Sequence, residues 1–184
     1  MADINFSTPA ADPDSRAGEA RSSGSGSADL RWDFIELLFF AYRDFVGDAD
    51  HELGAFGFGR AHHRVLHFVY RYPGLKVADL LDVLRITKQS LGRVLKQLLD
   101  EDYIVQKAGN NDRRQRLLFA TAKGEALVGK LAGLQTDRLS RALRDIGPSG
   151  ADTIRQFLVA MIDRDDPDKV LETILATGNA KAKE

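Results

Sequence analysis

Residues 77–121 read VADLLDVLRITKQSLGRVLKQLLDEDYIVQKAGNNDRRQRLLFAT, and the spacing of their apolar residues decides the fold. Val77, Leu80, Leu81 and Leu84 recur at i, i+3, i+4 and i+7, the single stripe of a short amphipathic helix. Ile86-Thr87 interrupts the stripe, and Thr87 is placed to N-cap a second helix carrying Leu91, Val94, Leu95, Leu98 and Leu99. Two short helices joined by a tight turn match a helix-turn-helix. Tyr103, Ile104 and Val105 then read as a strand and Leu117, Leu118 and Phe119 as its return, with Ala108, Gly109, Asn110, Asn111 and Asp112 supplying the turn. The expected fold class is therefore mainly α with a small β wing: a winged helix-turn-helix core, with N- and C-terminal helices forming a dimerisation body.

Polar residues on the second helix gather towards its start: Thr87, Lys88, Gln89, Ser90, Arg93, Lys96 and Gln97. In a recognition helix such residues face base edges in the major groove, where Gln pairs with adenine and Arg with guanine. An ordinary solvated helix face would also be polar, so the hairpin decides between the two. Arg113, Arg114 and Arg116 crowd its tip and returning strand, where they repel one another unless an anion is near. DNA phosphates and the electronegative minor groove supply that anion. Asp112 is expected to hold one of these arginines in place. Gly92 costs about 0.5–1 kcal/mol in a helix interior relative to Ala, which suggests a close approach of the backbone to DNA or to the preceding helix.

The charge distribution agrees. The whole chain has 26 Lys and Arg against 27 Asp and Glu, a net charge of −1, so any nucleic-acid surface has to come from local segregation. From Arg85 to Arg116 eight cations face four anions, leaving the remainder of the chain acidic.

Outside this stretch, residues 1–29 are mostly Ala, Ser, Asp, Gly and Pro and are expected to be a disordered tail. Leu30, Phe34, Leu37, Leu38, Ala41 and Phe45 then recur at helical spacing beside a second apolar row of Ile35, Phe39, Tyr42 and Val46. A helix so broadly apolar needs two things to pack on: its own domain and a second subunit, or else the core of a larger monomer. Gly47–Gly59, rich in Gly and acids, reads as a loop, and Arg60–Arg71 as a helix ending at Pro73-Gly74. That helix carries His62, His63 and His67. His63 and His67, at i and i+4, have the spacing of two ligands to one metal, but a polar helix face with one or two histidines packed under a neighbouring element is the favoured reading, because a metal would need further ligands that His51 or a nearby carboxylate could supply only if the loop folded back.

Leu75-Lys76-Val77 suits a short strand. Thr121 is placed to cap a long helix from Ala122 to about Arg144, stopped by Gly147-Pro148-Ser149-Gly150, with further helices around Ile154–Ile162 and Val170–Leu175. The expected organisation is a tail over 1–29, a helical dimerisation region over 30–47 and 122–178, a DNA-binding domain over 59–121, and a flexible end over 179–184.

Several function classes drop out. There is no cysteine, hence no disulfide, thiolate metal site or thiol redox switch, which fits a reducing cytoplasm. No basic leader precedes an apolar run and no stretch approaches 18 consecutive apolar residues, so neither secretion nor a membrane partner is expected. An enzyme is not expected either: the chain has no phosphate loop, no Ser or Cys nucleophile near a plausible His, and no metal constellation beyond the histidine pair. No cofactor and no metal are expected.

The order of elements and three local strings resemble the MarR family of bacterial transcriptional regulators. Residues 75–86 (LKVADLLDVLRI) are similar to that family's first motif helix and residues 87–98 (TKQSLGRVLKQL) to its recognition helix. Residues 112–118 (DRRQRLL), through Thr121-Ala122-Lys123-Gly124, are similar to its wing and the start of the next helix. The similarity spans roughly Leu30 to Asp163, and Lys76 stands where the family often has a Ser or Thr cap, Ala120 where it often has Leu.

The resemblance implies a homodimer that binds a palindromic double-stranded DNA operator, usually as a repressor, with recognition helix 87–101 in the major groove and wing 103–120 in the minor groove. It implies base and phosphate contacts by Thr87, Lys88, Gln89, Ser90 and Arg93, and a wing pair of Asp112 and Arg114 with Arg114 in the minor groove. It also implies release by a small aromatic or phenolic effector between the dimer helices and the DNA-binding lobe. Phe34, Phe40, His63, His67 and Arg71 are candidates to line that cleft, chosen from the apolar, aromatic and histidine content of two helices; the second and third helices could equally form a sealed core. The alternative reading is a winged-helix module that meets a protein partner instead of an operator.

Overall fold

The computed structural model describes residues 30–109 and 115–163 of the 184-residue chain. The expected tail over 1–29, the wing tip over 110–114 and the last helix around 170–175 lie outside the described residues.

Helix α1 spans Trp32–Gly54, and here the sequence expectation needs correcting. Gly47–Gly59 was expected to be a loop, but the helix continues through Gly54. Tertiary contacts explain why. Val46, Ala49 and Leu53 are buried on one face, and the acids that suggested a loop are paired across it. Asp48 accepts from Arg138 at 2.9 Å, Asp50 from Arg60 at 2.6 Å, and Glu52 pairs with Lys130. Exposed pairs of this kind contribute about 0.2–1 kcal/mol each, whereas burying a leucine contributes about 1.5–3 kcal/mol. Leu53 therefore holds the segment helical, and the ion pairs orient it.

Helix α2, Arg60–Arg71, buries Val65, Leu66 and Val69. Strand β1, Leu75–Lys76, leads into α3, Val77–Leu84, and α4 follows at Lys88–Asp100. Lys76 has no acceptor to cap α3, but the Asp79 carboxylate accepts its N–H at 3.3 Å and supplies half of a capping box from the helix side. At the other end Arg85 adopts a left-handed conformation, φ 49°, and the Arg64 guanidinium donates to the Leu84 carbonyl at 3.1 Å. Leu80 and Leu84 of α3 meet Leu91, Leu95 and Leu98 of α4 in a single buried cluster with Val65, Leu66, Val69 and Leu118.

Strands β2, Ile104–Ala108, and β3, Arg116–Ala120, pair antiparallel with Ile104 opposite Ala120 and Ala108 opposite Arg116. Leu75 of β1 pairs with Leu118, giving a three-stranded sheet in the order β1-β3-β2. The expected mainly helical, winged helix-turn-helix architecture is what the chain adopts, with α1 packed against the last of the described helices.

Helix α5 runs Ala122–Ala160 with one break, at Gly147 (φ 70°, ψ 177°). The expected stop is thus real in backbone torsion but takes up no loop. Pro148 follows at once, where a helix start needs no N–H, so two helices abut at a kink.

The first turn of α5 is fixed to the exit of α4. Asp102 turns the chain at φ 60°. Thr121 donates its N–H to the Tyr103 carbonyl at 3.1 Å and its hydroxyl to the Asp102 carbonyl at 2.7 Å, while that hydroxyl accepts from Gly124 N–H at 3.1 Å. The Lys123 ammonium donates to the Glu101 carbonyl at 2.8 Å and lies 4.1 Å from the centre of the Tyr103 ring. A Cβ at Gly124 would sit 2.1 Å from the Tyr103 carbonyl oxygen, a backbone atom with nowhere to go. Gly124→Ala is therefore expected to lower unfolding stability by about 1–3 kcal/mol, read as a lower denaturant midpoint; an unchanged midpoint would contradict this packing.

On α2, burial pushes the His63 imidazole below its ordinary 6.5, with Asp50 opposing the shift. In the window below about 6.5 the unfolded chain takes up this proton before the folded one does, so stability is full above that pH and falls as pH drops through it. Subtracting the pH–stability curve of His63→Leu from that of the unaltered protein should isolate this slope; two parallel curves would count against a buried neutral His63.

Candidate nucleic-acid interface

The amphipathic pattern of α4 is what aims its polar residues. Leu91, Val94, Leu95 and Leu98 are buried, so Lys88, Gln89, Arg93 and Lys96 are left exposed on the other side. Thr87 caps the helix as expected: its hydroxyl oxygen accepts from Ser90 N–H at 3.2 Å and its proton goes to Ser90 Oγ at 2.9 Å. Two of the expected contact residues thus brace each other at the helix start. The first turn keeps free N–H groups and the positive end of the helix dipole towards solvent, a setting that favours phosphate.

Lys96 is tied back to Asp100 one turn on, in an exposed pair weak enough for a phosphate to replace. Gly92 is exposed, and nothing lies within 4 Å of where its Cβ would be. Close packing on the preceding helix is therefore not why position 92 is glycine, and its open side shares the exposed surface with Gln89 and Arg93.

On the wing, Arg116 opens β3 and is exposed, and Lys107 on β2 lies 4.9 Å from the centre of the Phe119 ring. Gly109 N–H donates to the Gln115 carbonyl at 3.1 Å, closing the described part of the hairpin. Asp112, Arg113 and Arg114 lie outside the described residues. The sequence thus pointed to a helix start and a strand that the fold brings onto the same motif.

Three contributors were not anticipated from sequence. Arg64 caps α3, Lys123 ties α5 to the end of α4, and His62 on α2 meets Gln97 on α4 at 2.9 Å. His62 at the third helical position after Gly59 could have been flagged as a capping residue, which it is: Gly59 N–H donates to its Nδ1 at 3.1 Å. Its partner 35 residues away leaves no local signal. His62, Ser90, Arg93, Val94 and Gln97 line a shallow, open concavity of about 280 Å³ beside the exposed face of α4.

The five residues suggested for an effector are spread over two helices. Phe34 and Phe40 are exposed on α1, Phe34 with its ring 6.1 Å from that of Phe157 on α5 and Phe40 beneath the Arg43 guanidinium. His63 and His67 are half-buried on α2 with ring centres 6.5 Å apart, and Arg71 closes that helix. Among the described residues no group of three or more His, Asp or Glu is arranged to hold a metal ion, and no helix is long and apolar enough to cross a membrane.

Comparison with known proteins agrees with this geometry. The MarR family pattern matches residues 56–115, from the corner between α1 and α2 into the wing. The chain is 46% identical over 129 residues to the HTH-type transcriptional regulator PetP of Rhodobacter capsulatus, a match covering 70% of this chain and 78% of that protein. In fold it is similar to the crystal structure of MarR, with a TM-score of 0.55 at 20% identity over 73% of this chain and 90% of that one. It is also similar to the S. aureus MepR–DNA complex, with a TM-score of 0.58 at 16% identity over 72% of this chain and 97% of that one. At 46% identity over 70% of this chain and 78% of the PetP regulator, and with the helix pair and wing strands of the motif present among the described residues, the chain belongs to the MarR family: it is a DNA-binding, winged helix-turn-helix transcriptional regulator and not an enzyme.

Proposed function

We propose that the chain acts as a homodimeric repressor that reads a palindromic operator, with α4 in the major groove and the wing in the minor groove. The observation that carries the reading is the exposed row of Lys88, Gln89 and Arg93 at the capped start of α4, beside a cationic wing strand. Hydrogen-bonding groups that are both exposed and held by a rigid helix suit base-edge recognition, while the surrounding lysines and arginines suit phosphates. Thr87, Ser90, Lys96, Arg113 and Arg116 are assigned to the backbone, and Arg114, braced by Asp112, to the minor groove.

The dimer rests on a different observation. Leu37, Phe39 and Tyr42 on α1 are 65%, 71% and 55% exposed, and Ile154 and Leu158 on α5, with Met161 just past its end, are also open. An apolar surface of this extent is unusual on a monomer and suits a second copy of the chain. Residues 30–54 and the C-terminal helices would form the dimer body and 59–121 the reading head, with the cytoplasm as the site of action.

For release, a small aromatic or phenolic acid is the ligand we assign to Phe34, Phe40, His63, His67 and Arg71. The half-buried imidazoles of α2 and the exposed aromatic rings of α1 are the kinds of group such an acid would use.

The decisive experiment selects duplexes from a random library and measures affinity against salt. Affinity for selected duplexes should fall steeply, with a log–log slope of several as phosphate contacts release counterions. Gln89→Ala should relax preference at particular base pairs by about 1–3 kcal/mol, whereas Arg114→Ala should weaken binding to all sequences alike. Phe39→Glu should shift the sedimenting species towards monomer. Equal binding of selected and random duplexes would remove the operator reading and leave a protein-interaction module.

A further inference from the structure

A histidine outside the helix-turn-helix is wired to the recognition helix by hydrogen bonds whose directions can be worked out from both ends. At one end is the Glu101 carboxylate, which only accepts. Gln97 Nε2 lies 2.9 Å from Glu101 Oε1 and so donates to it. This fixes the Gln97 amide with its oxygen turned to His62, 2.9 Å from His62 Nε2. That nitrogen must then carry the proton. At the other end Gly59 N–H donates to His62 Nδ1 at 3.1 Å, which requires Nδ1 to be bare. The two ends demand the same tautomer, neutral with the proton on Nε2. The ring itself is held in place: it stacks on Phe58 at 4.7 Å and 9°, and Phe58 meets Tyr103 edge-on at 5.0 Å.

Gln97 occupies a telling position on α4. Gln89, Arg93, Gln97 and Glu101 succeed one another at i+4, each displaced by about 40° around the helix axis, so they form one slowly winding row. The first two are exposed on the surface assigned to DNA, and the third is pinned to α2. The buried Leu91, Val94, Leu95 and Leu98 set the broad rotation of the row, and fixing Gln97 removes the play that remains in the direction Gln89 and Arg93 point. His62, Ser90, Arg93 and Gln97 also line the same concavity, so the link forms one wall beside Arg93.

We infer that His62 is a positioning residue for sequence reading: through its Nε2–H···Oε1 bond to Gln97 it sets the rotation of the recognition helix, and Gln97, with both ends of its amide engaged, orients the helix without reading a base. The inference rests on the operator reading above. It separates two glutamines of identical chemistry on one helix, Gln89 as the reader and Gln97 as the brace. It also distinguishes the two nitrogens of His62. Nδ1 caps α2, a matter of stability, and Nε2 serves recognition.

Two substitutions divide those roles. An Asn amide can take the place of Nδ1 but is too short to reach Gln97, and a Gln amide can reach Gln97 from the place of Nε2 but leaves Gly59 N–H uncapped. His62→Asn, His62→Gln and the unaltered protein are compared for binding to a selected duplex and to a random one, with melting temperatures taken alongside. In His62→Asn the selected-to-random affinity ratio should fall about tenfold while random-duplex affinity stays within about twofold; in His62→Gln the ratio should stay within about twofold. A His62→Asn protein that keeps the ratio, or a His62→Gln protein that loses it equally, overturns the inference. The unaltered protein provides a check that depends on neither variant folding: histidine nitrogen NMR should report His62 bare at Nδ1 and protonated at Nε2, and the opposite tautomer overturns the link. If the unaltered protein itself shows no selected-over-random preference, the operator reading fails, and the tautomer measurement still decides the link.

Discussion

The Tyr103 carbonyl oxygen receives the Thr121 N–H at 3.1 Å and is approached so closely by the first turn of α5 that a Cβ at Gly124 would lie 2.1 Å away. Most of the architecture depends on this contact. Tyr103 stands between the end of α4 and the first wing strand, and Thr121 between the returning strand and α5. Joining them makes recognition helix, wing and α5 one rigid corner. The neighbouring bonds from Thr121 to Asp102 and from Lys123 to Glu101 satisfy carbonyls at the exit of α4 that would otherwise be orphaned. A movement of α5 is consequently a movement of the reading surface.

This corner gives the distribution of surface chemistry its mechanical meaning. The α5 helix packs against α1 through Asp48–Arg138 and Glu52–Lys130, and α1 meets α2 through Asp50–Arg60. From there His62 reaches Gln97, so α4 is held at its end by α5 and on its side by α2. Under the dimer reading, a second copy covering the open faces of α1 and α5 would fix the separation and tilt of two recognition helices. A ligand that altered the packing of α1 on α2 would reach DNA through the same struts.

Local rules made the motif legible. The stripes of α3 and α4, the caps at Thr87 and Thr121 and the break at Gly147-Pro148 all depend on residues within a few positions of one another, and each is present. The extension of α1 was not legible because Gly47 and the acids after it favour a loop in isolation, and only burial of Ala49 and Leu53, with ion pairs to Arg60, Lys130 and Arg138, reverses that preference. For the same reason the sequence offered two uses for the open side of Gly92, of which the contact with the preceding helix is absent. In the site, the polar start of α4 could be read directly, whereas Arg64, His62 and Lys123 act on partners about 20 to 35 residues away that no spacing rule reaches.

The central claim is that each reading head is held rigidly on a shared dimer body, and half-site spacing tests it most directly. Two copies of a selected half-site are placed on duplexes whose centre-to-centre distance is varied one base pair at a time, and affinity is measured at fixed salt. A rigid pair predicts a sharp optimum near one helical turn, about 10 base pairs or 34 Å, with binding lost within a few base pairs on either side. Affinity that stays flat as the spacing changes, or that a single half-site matches, would contradict it.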